Sequence, residues 1–216
     1  MNGKVVLVTG ASSGIGKAAA NLFAKEGYRV YGTSRKKQAD GTEANAEDAS
    51  SNGFVKMVQM DVCSADSVKT AIDYILKQEG RIDILVNNAG FGIAGSIEDT
   101  SEEEAFKQFD TNFFGVHRVL RQVVPIMRQQ GSGLIINVSS VAGLISIPFQ
   151  AMYSASKYAV EALTEALRME LKPYGIKAVA VEPGDTRTGF TGSRQFVAAS
   201  ENSVYRSKFL KAINRM

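Results

Sequence analysis

Short apolar runs alternate along the chain with longer stretches in which apolar residues recur at helical spacing. The runs are rich in β-branched residues, and most are bounded by turn-forming residues such as Gly, Asn, Asp or Ser. They predict six strands, at residues 5–8, 29–33, 54–59, 82–86, 134–138 and 176–181. Because strands alternate with helical stretches, we expect the sheet to be parallel.

Helical spacing follows the first strand and predicts further helices over residues 64–78, 101–130 and 151–172. The helix from Ser101 begins with the capping box SEEE, in which Ser101 and Glu104 bind each other's backbone amides. The polar residues 35–52 are expected to form mostly an exposed loop around a short helix. The whole pattern predicts an α/β fold: one domain over residues 1–216, with a doubly wound parallel sheet and helices on both faces.

Three glycines lie between the first strand and the first helix. In TGASSGIG, Gly10, Gly14 and Gly16 have the spacing GxxxGxG. Without a Cβ, the backbone can approach a pyrophosphate closely, and the amides and dipole at the helix N-terminus would hold the diphosphate. The alternative is a tight strand–helix turn with no ligand.

Composition argues against several classes of function. A formal charge of +3 with dispersed basic residues gives no reason to expect nucleic-acid binding. The single Cys63 and the single His117 cannot by themselves form a disulfide or a metal cluster. No stretch reaches the roughly 18 to 20 apolar residues of a membrane span, so we expect a cytoplasmic protein without a transmembrane segment.

Five further motifs follow the glycine turn in order: NNAG at 87–90, Asn112, NVSS at 137–140, YSASK at 153–157 and PGDTRT at 183–188. Together they resemble the short-chain dehydrogenase/reductase family, and within it NADP-preferring members similar to 17-beta-hydroxysteroid and retinol dehydrogenases. The resemblance implies a Rossmann-type fold and hydride transfer between nicotinamide and a ketone, aldehyde or secondary alcohol. It also implies a homodimer or homotetramer.

The resemblance assigns catalysis to four residues: Asn112, Ser140, Tyr153 and Lys157. Tyr153 would be the acid in carbonyl reduction and the base in alcohol oxidation, and the ammonium of Lys157 would lower the tyrosine pKa from about 10. Ser140 would bind the substrate oxygen; Ser139 is the less favoured candidate because its spacing to Tyr153 is one residue longer. Asn112 would hold a water that connects the lysine to solvent, and an asparagine within a helix favours such a functional reason.

A second set of residues is implied to bind the cofactor. These are Gly10, Ser12, Ser13, Gly14, Ile15, Gly16, Ser34, Arg35, Asp61, Val62, Asn88, Ala89, Gly90, Tyr153, Lys157, Pro183, Gly184, Thr186 and Thr188. Asp61 and Val62 would line the adenine pocket, although Asp61 could equally cap the helix that follows it.

The end of the second strand favours NADP(H). Members that prefer NAD carry an acidic residue there, whereas this chain has Ser34 followed by Arg35 and Lys36. A carboxylate would repel a 2′-phosphate, and a guanidinium can bind it through charge-assisted hydrogen bonds. The alternative is a solvated basic loop. Some NADP-using relatives also carry a basic residue where Ser13 stands, so the prediction depends mainly on Arg35.

The residues expected to border the substrate are Phe91, Ile93, Val141, Leu144 and Phe149. They favour an apolar carbonyl or alcohol substrate that is steroid-, retinoid- or lipid-like; the alternative is that they only pack the loops. Residues 189–216 are expected on the substrate side, and the chain is expected to be shortened at its C-terminal end, because family members usually continue further.

Three other functions stay open at this point. One is a nicotinamide-sensing binding protein with weak catalysis, and another is an NAD-preferring dehydrogenase. The third, which does not exclude enzymatic activity, is a structural oligomerisation partner that uses the helical faces around Asn112 and Ala151, where relatives form subunit contacts. A sensor need not retain the whole set of four catalytic residues, so their presence favours the enzyme.

Overall fold

A computed structural model describes residues 3–36, 43–45, 53–186 and 194–213. Its strands are β1 (Val5–Val8), β2 (Arg29–Ser34), β3 (Glu43–Asn45), β4 (Phe54–Gln59), β5 (Ile84–Asn87), β6 (Ile93–Ala94), β7 (Gly133–Val138), β8 (Ile176–Val181) and β9 (Gln195–Phe196). The main sheet has the order β3-β4-β2-β1-β5-β7-β8, and β6 pairs with β9 in a separate ribbon. The strands from β4 to β8 in this order are parallel, which confirms the predicted doubly wound sheet.

The helices are α1 (Gly14–Lys25), α2 (Ala65–Glu79), α3 (Glu102–Phe109), α4 (Gly115–Gln130), α5 (Ala151–Leu171) and α6 (Arg206–Ile213). Alternate residues of β1 enter different cores, as a sheet covered on both faces requires. Val5 and Leu7 pack with residues of α2, α4 and α5, whereas Val6 and Val8 pack with residues of α1. Helices therefore cover both faces of the sheet, as predicted.

Two local predictions were wrong. Residues 101–130 form α3, a π-helical segment (Asp110–Phe114) and α4, and not one continuous helix. In the segment predicted as a loop around a short helix, Glu43–Asn45 form a strand that pairs antiparallel with β4. The reason is that β4 would otherwise present unpaired backbone groups at the sheet edge. Residues 37–42 and 46–52 of that segment lie outside the described residues.

The strand order places the site. From β1 the chain continues to β2 on one side, whereas β5 lies on the other side of β1. This reversal is the point at which open α/β sheets bind ligands, beyond the carboxyl ends of the strands. The turn after β1 and the NNAG segment after β5 meet there.

Candidate active site

The turn between β1 and α1 is fixed by close backbone packing. Gly10 has a positive φ of 67°, and Gly14 one of 55°, which favours glycine at both. A Cβ on Gly16 would lie 2.3 Å from Asn88 Nδ2 and 2.5 Å from the carbonyl oxygen of Gly10. The structure thus gives Gly16 a reason that the sequence did not: α1 must approach the NNAG segment directly.

Asn88 and Thr9 hold the two sides of this junction together. Asn88 Nδ2 donates to the carbonyl oxygens of Thr9 and Gly10, at 2.9 and 3.1 Å. In return, Thr9 Oγ1 accepts hydrogen bonds from the amides of Asn88 and Ala89, both at 2.9 Å. Sequence reasoning missed Thr9, although a hydroxyl residue that ends an apolar strand just before Gly10 was the available signal.

The N-terminus of α1 fits a diphosphate. Ser13 is at the N-cap position but makes no capping hydrogen bond with its side chain, and the first turn carries no acidic residue among these described positions. Ser12, Ser13 and Gly14 are exposed. The first amides of the helix, which lack partners within the helix, therefore face an open cradle that a Cβ at Gly16 would disturb.

The end of β2 lies beside this cradle. The amide of Ala11 donates to the carbonyl oxygen of Thr33 at 2.9 Å, which ties the glycine turn to β2. Ser34 is half-buried at the strand end, and Arg35 is exposed directly after it. Gln59 Nε2 donates to the carbonyl oxygen of Arg35 at 3.2 Å, so the backbone of this exposed residue is held.

Asp61 does not cap α2. Its Oδ1 accepts from the amide of Cys63 at 2.9 Å, whereas Ser64 is the N-cap residue and accepts from the amide of Ser67 at 3.2 Å. The alternative that made Asp61 a helix cap was therefore wrong. Val62 is buried and packs against the start of α4.

Tyr153 and Lys157 lie one turn apart on α5, and both are buried. The Nζ of Lys157 is 5.8 Å from the centre of the Tyr153 ring and donates to the carbonyl oxygen of Val138 at 2.8 Å. Ser140 hydrogen-bonds to Tyr153. The hydroxyl of Ser139 points instead to the carbonyl oxygen of Lys157, at 3.5 Å, so Ser140 is the serine that faces the phenol.

Burial shifts the pKa values of both Tyr153 and Lys157. Burial raises the pKa of Tyr153, while the hydrogen bond from Ser140 and the charge of Arg194 act in the opposite direction. Burial lowers the pKa of Lys157 to about 8, and the charge of Glu161 opposes this change. In the protein alone, the Tyr153 pKa therefore moves in the direction opposite to the one expected, because the loss of hydration of the phenolate dominates.

Asn112 lies in the π-helical segment with its side chain buried. Its Oδ1 accepts from the amide of Phe91 at 3.1 Å, and its Nδ2 donates to the carbonyl oxygen of Phe91 at 3.0 Å and to Ser156 Oγ at 3.2 Å. Gln108, which sequence reasoning missed, supports the same loop by donating to the carbonyl oxygen of Phe91 at 2.7 Å. That Asn112 holds a water stays a prediction.

The residues expected at the substrate separate into two groups. Val141 and Leu144 are exposed next to Ser140, whereas Ile93 is buried in β6, so packing explains Ile93. Phe149 has a positive φ of 62°, and its ring packs on that of Phe209 with 5.6 Å between the ring centres. This contact, with the pairing of β6 and β9, places the described residues 194–213 against β6 and the loop between β7 and α5.

Behind Ser140, the chain returns at the PGDTRT motif. The amide of Val141 donates to the carbonyl oxygen of Pro183 at 3.2 Å, and Gly184 lies next to Val141. Thr186 Oγ1 donates to the carbonyl oxygen of Gly184 at 3.2 Å. Thr188 lies outside the described residues.

The family comparison agrees with this geometry. The sequence model of the short chain dehydrogenases matches residues 4–196. The chain belongs to the short chain dehydrogenase family. As a short chain dehydrogenase it is an oxidoreductase, and none of its described helices is long and apolar enough to cross a bilayer.

Curated relatives of this short chain dehydrogenase include a 3-ketodihydrosphingosine reductase from Bacteroides thetaiotaomicron, with 43% identity over 214 residues, 99% of this chain and 76% of the relative. Retinol dehydrogenase 8 from Bos taurus is 39% identical over 192 residues, 88% of this chain and 61% of the relative.

Solved structures of similar fold include a short-chain dehydrogenase from Streptomyces avermitilis, with a TM-score of 0.81 and 35% identity over 96% of this chain and 79% of that one. A Burkholderia phymatum short chain dehydrogenase/reductase in complex with NAD has a TM-score of 0.79 and 33% identity, over 89% of this chain and 69% of that one.

Proposed function

We propose that this short chain dehydrogenase uses NADP(H) to interconvert a ketone or aldehyde with the corresponding alcohol, on an apolar substrate. The observation that carries the proposal is the meeting of Ser140, Tyr153 and Lys157 beyond the carboxyl end of β7. This group lies on the same edge of the sheet as the glycine cradle between β1 and α1. A nicotinamide bound along that edge supplies or accepts the hydride.

The residues of the chain handle the proton. In reduction, the Tyr153 hydroxyl donates its proton to the carbonyl oxygen of the substrate, and Ser140 donates a hydrogen bond to the same oxygen. The phenolate that remains is stabilised by the nearby ammonium of Lys157, which Val138 holds in place. In oxidation, the same phenolate removes the proton from the alcohol.

The preference for NADP(H) is supported by Arg35. Its position after β2 puts it next to the glycine turn, and no carboxylate forms an ion pair with it within the described part of the chain. A guanidinium exposed in this way is suited to a 2′-phosphate. NAD preference is the second candidate, favoured by the Burkholderia structure, which holds NAD.

An apolar substrate is supported by the surface beside Ser140. Val141, Leu144 and Ile145 are exposed there, and Leu144 and Ile145 have 56% and 60% of their surface in solvent. Two relatives carry names that refer to retinol and to ketodihydrosphingosine. An elongated apolar carbonyl compound agrees with both observations.

The direct test is a panel of apolar ketones and aldehydes, with the oxidation of NADPH and NADH followed by absorbance. We expect turnover with NADPH, and expect Tyr153→Phe to reduce it at least about a hundredfold while cofactor binding persists. Tyr174→Phe is the matched control, because Tyr174 is exposed and packs on Arg128. Full activity of Tyr153→Phe would refute the assignment of the proton donor.

A further inference from the structure

Glu161 lies on α5, four residues after Lys157. Tyr153, Lys157 and Glu161 are spaced four residues apart, so they lie on one face of the helix, with Glu161 one turn beyond the lysine. The neighbouring acidic residue of the helix, Glu165, is exposed. Glu161 is therefore the carboxylate of α5 that lies on the same helix face as Tyr153 and Lys157.

The carboxylate of Glu161 is held in an unfavourable setting. Its Oε1 is buried and has no hydrogen-bond partner within the described part of the chain. A buried carboxylate oxygen that has lost water without gaining a donor destabilises the folded state. Packing alone gives no reason for a charged side chain here, since an apolar residue would avoid this cost.

Lys157 is a buried cation without a hydrogen-bonded carboxylate among the described residues. Its side chain is buried, and its Nζ donates to the neutral carbonyl oxygen of Val138. Among the described residues, Glu161 is the carboxylate whose charge acts on this ammonium, and it acts without a direct hydrogen bond. The other titratable group next to Lys157 is Tyr153, which Ser140 and the charge of Arg194 influence in turn.

We propose that Glu161 is a positioning residue whose carboxylate keeps the buried ammonium of Lys157 charged. The inference rests on the proposed function, in which that charge stabilises the Tyr153 phenolate. Burial already brings the pKa of Lys157 down to about 8, close to neutral pH. Without the opposing carboxylate the pKa falls further, and part of the ammonium is lost under working conditions.

The first test measures the lysine directly and needs no turnover. The Cε resonance of Lys157 in lysine-labelled, cofactor-free protein is assigned by its disappearance in Lys157→Met and titrated with pH by NMR. We expect Glu161→Gln to lower the titration midpoint by about half a pH unit or more, and Glu165→Gln to leave it unchanged. An unchanged midpoint in Glu161→Gln overturns the proposal.

A second variant covers the case in which Glu161→Gln does not fold. Glu161→Met removes the charge with an apolar side chain of similar length that needs no hydrogen-bond donor, so its midpoint is expected about half a pH unit or more below that of the parent; an unchanged midpoint in Glu161→Met overturns the proposal. In the NADPH-dependent assay, the alkaline loss of activity of Glu161→Gln is expected at lower pH than in the parent. If Glu161→Gln changes the oligomeric state and leaves the Lys157 midpoint unchanged, the hydrogen-bond donor to Glu161 comes from a second subunit. That outcome would overturn the proposal.

The two proposals fail in different ways. If the parent reduces no carbonyl compound while the Lys157 midpoint still depends on Glu161, the proposed function is wrong and the electrostatic pairing stands. If the parent is active and the midpoint does not depend on Glu161, the proposed function stands and the pairing is wrong.

Discussion

Phe91 and Asn112 exchange two hydrogen bonds: the Phe91 amide donates to Oδ1 at 3.1 Å, and Nδ2 donates to the Phe91 carbonyl oxygen at 3.0 Å. The same Nδ2 lies 3.2 Å from Ser156 Oγ on α5. One buried side chain therefore joins the loop after β5 to the helix that carries Tyr153. Its position in a π-helical segment agrees with the frequent occurrence of such segments at functional sites.

Asn112→Ala is expected to destabilise the protein by about 1 to 3 kcal/mol, because the Phe91 amide loses its buried acceptor, whereas the Phe91 carbonyl oxygen keeps the hydrogen bond from Gln108. The loosened loop is also expected to weaken NADPH binding. Urea unfolding and a cofactor titration measure the two effects. Asn202→Ala, at an exposed position, serves as control. Equal stability of the Asn112 variant and the parent would contradict the structural role.

The π-helical segment shows where sequence reasoning ended. The capping box at Ser101 is present as predicted, and so is the end of α4 at Gln130. The pattern of apolar residues in between could not reveal an additional residue in one turn, because that turn depends on bonds from Asn112 to Phe91 and Ser156, which are distant in sequence.

The short strands were missed for a related reason. The strand predicted at 54–59 has the observed bounds, since an apolar run in a buried strand is a local property. By contrast, β3 has three residues, and β6 and β9 have two each. Such strands exist because a partner strand is present, and no local pattern indicates that partner.

Gly16→Ala is expected to disrupt the cofactor cradle more than a single methyl group suggests. The added Cβ would lie 2.3 Å from Asn88 Nδ2 and 2.5 Å from the Gly10 carbonyl oxygen, so α1 or the NNAG segment must shift. We expect a loss of stability of about 1 to 3 kcal/mol and at least tenfold weaker NADPH binding. Thermal unfolding and fluorescence titration provide the measurements.

The control for Gly16→Ala is Ala18→Ser, which adds one atom at an exposed position of the same helix. If Gly16→Ala binds NADPH as tightly as this control, the close approach of α1 to Asn88 does not matter for the cofactor.

Arg35→Ala is expected to raise KM for NADPH about tenfold and to leave KM for NADH almost unchanged. The reason is that a charge-assisted hydrogen bond to the 2′-phosphate is available only to NADPH, and such bonds contribute about 1.5 to 3 kcal/mol. Lys77→Ala removes an exposed cation on α2 and is expected to change neither constant. Equal effects of Arg35→Ala on both cofactors would favour NAD as the natural one.

Lys157 makes the stability of the protein depend on pH. Its pKa is about 8 in the folded chain against an ordinary value of 10.5, so between these values the unfolded chain binds the proton and the folded chain does not. The free energy of unfolding therefore rises with pH through this window. At neutral pH, below this window, the lowered pKa corresponds to a destabilisation of the folded state on the order of 3 kcal/mol. This is what remains after the hydrogen bond to Val138 has offset part of the cost of burying the ammonium.

Lys157→Met is expected to remove this rise. Urea unfolding at several pH values between about 8 and 10.5 compares Lys157→Met with the parent, and the difference between the two curves reports on Lys157 and on its coupling to Tyr153. Lys172→Met, at an exposed position after α5, is expected to follow the parent. Lys157→Met is also expected to be inactive, because the Tyr153 phenolate loses its neighbouring charge. Parallel curves for the parent and Lys157→Met would mean that the lysine stays charged throughout this window, and that its burial is compensated more fully than the contacts with Val138 and Glu161 provide.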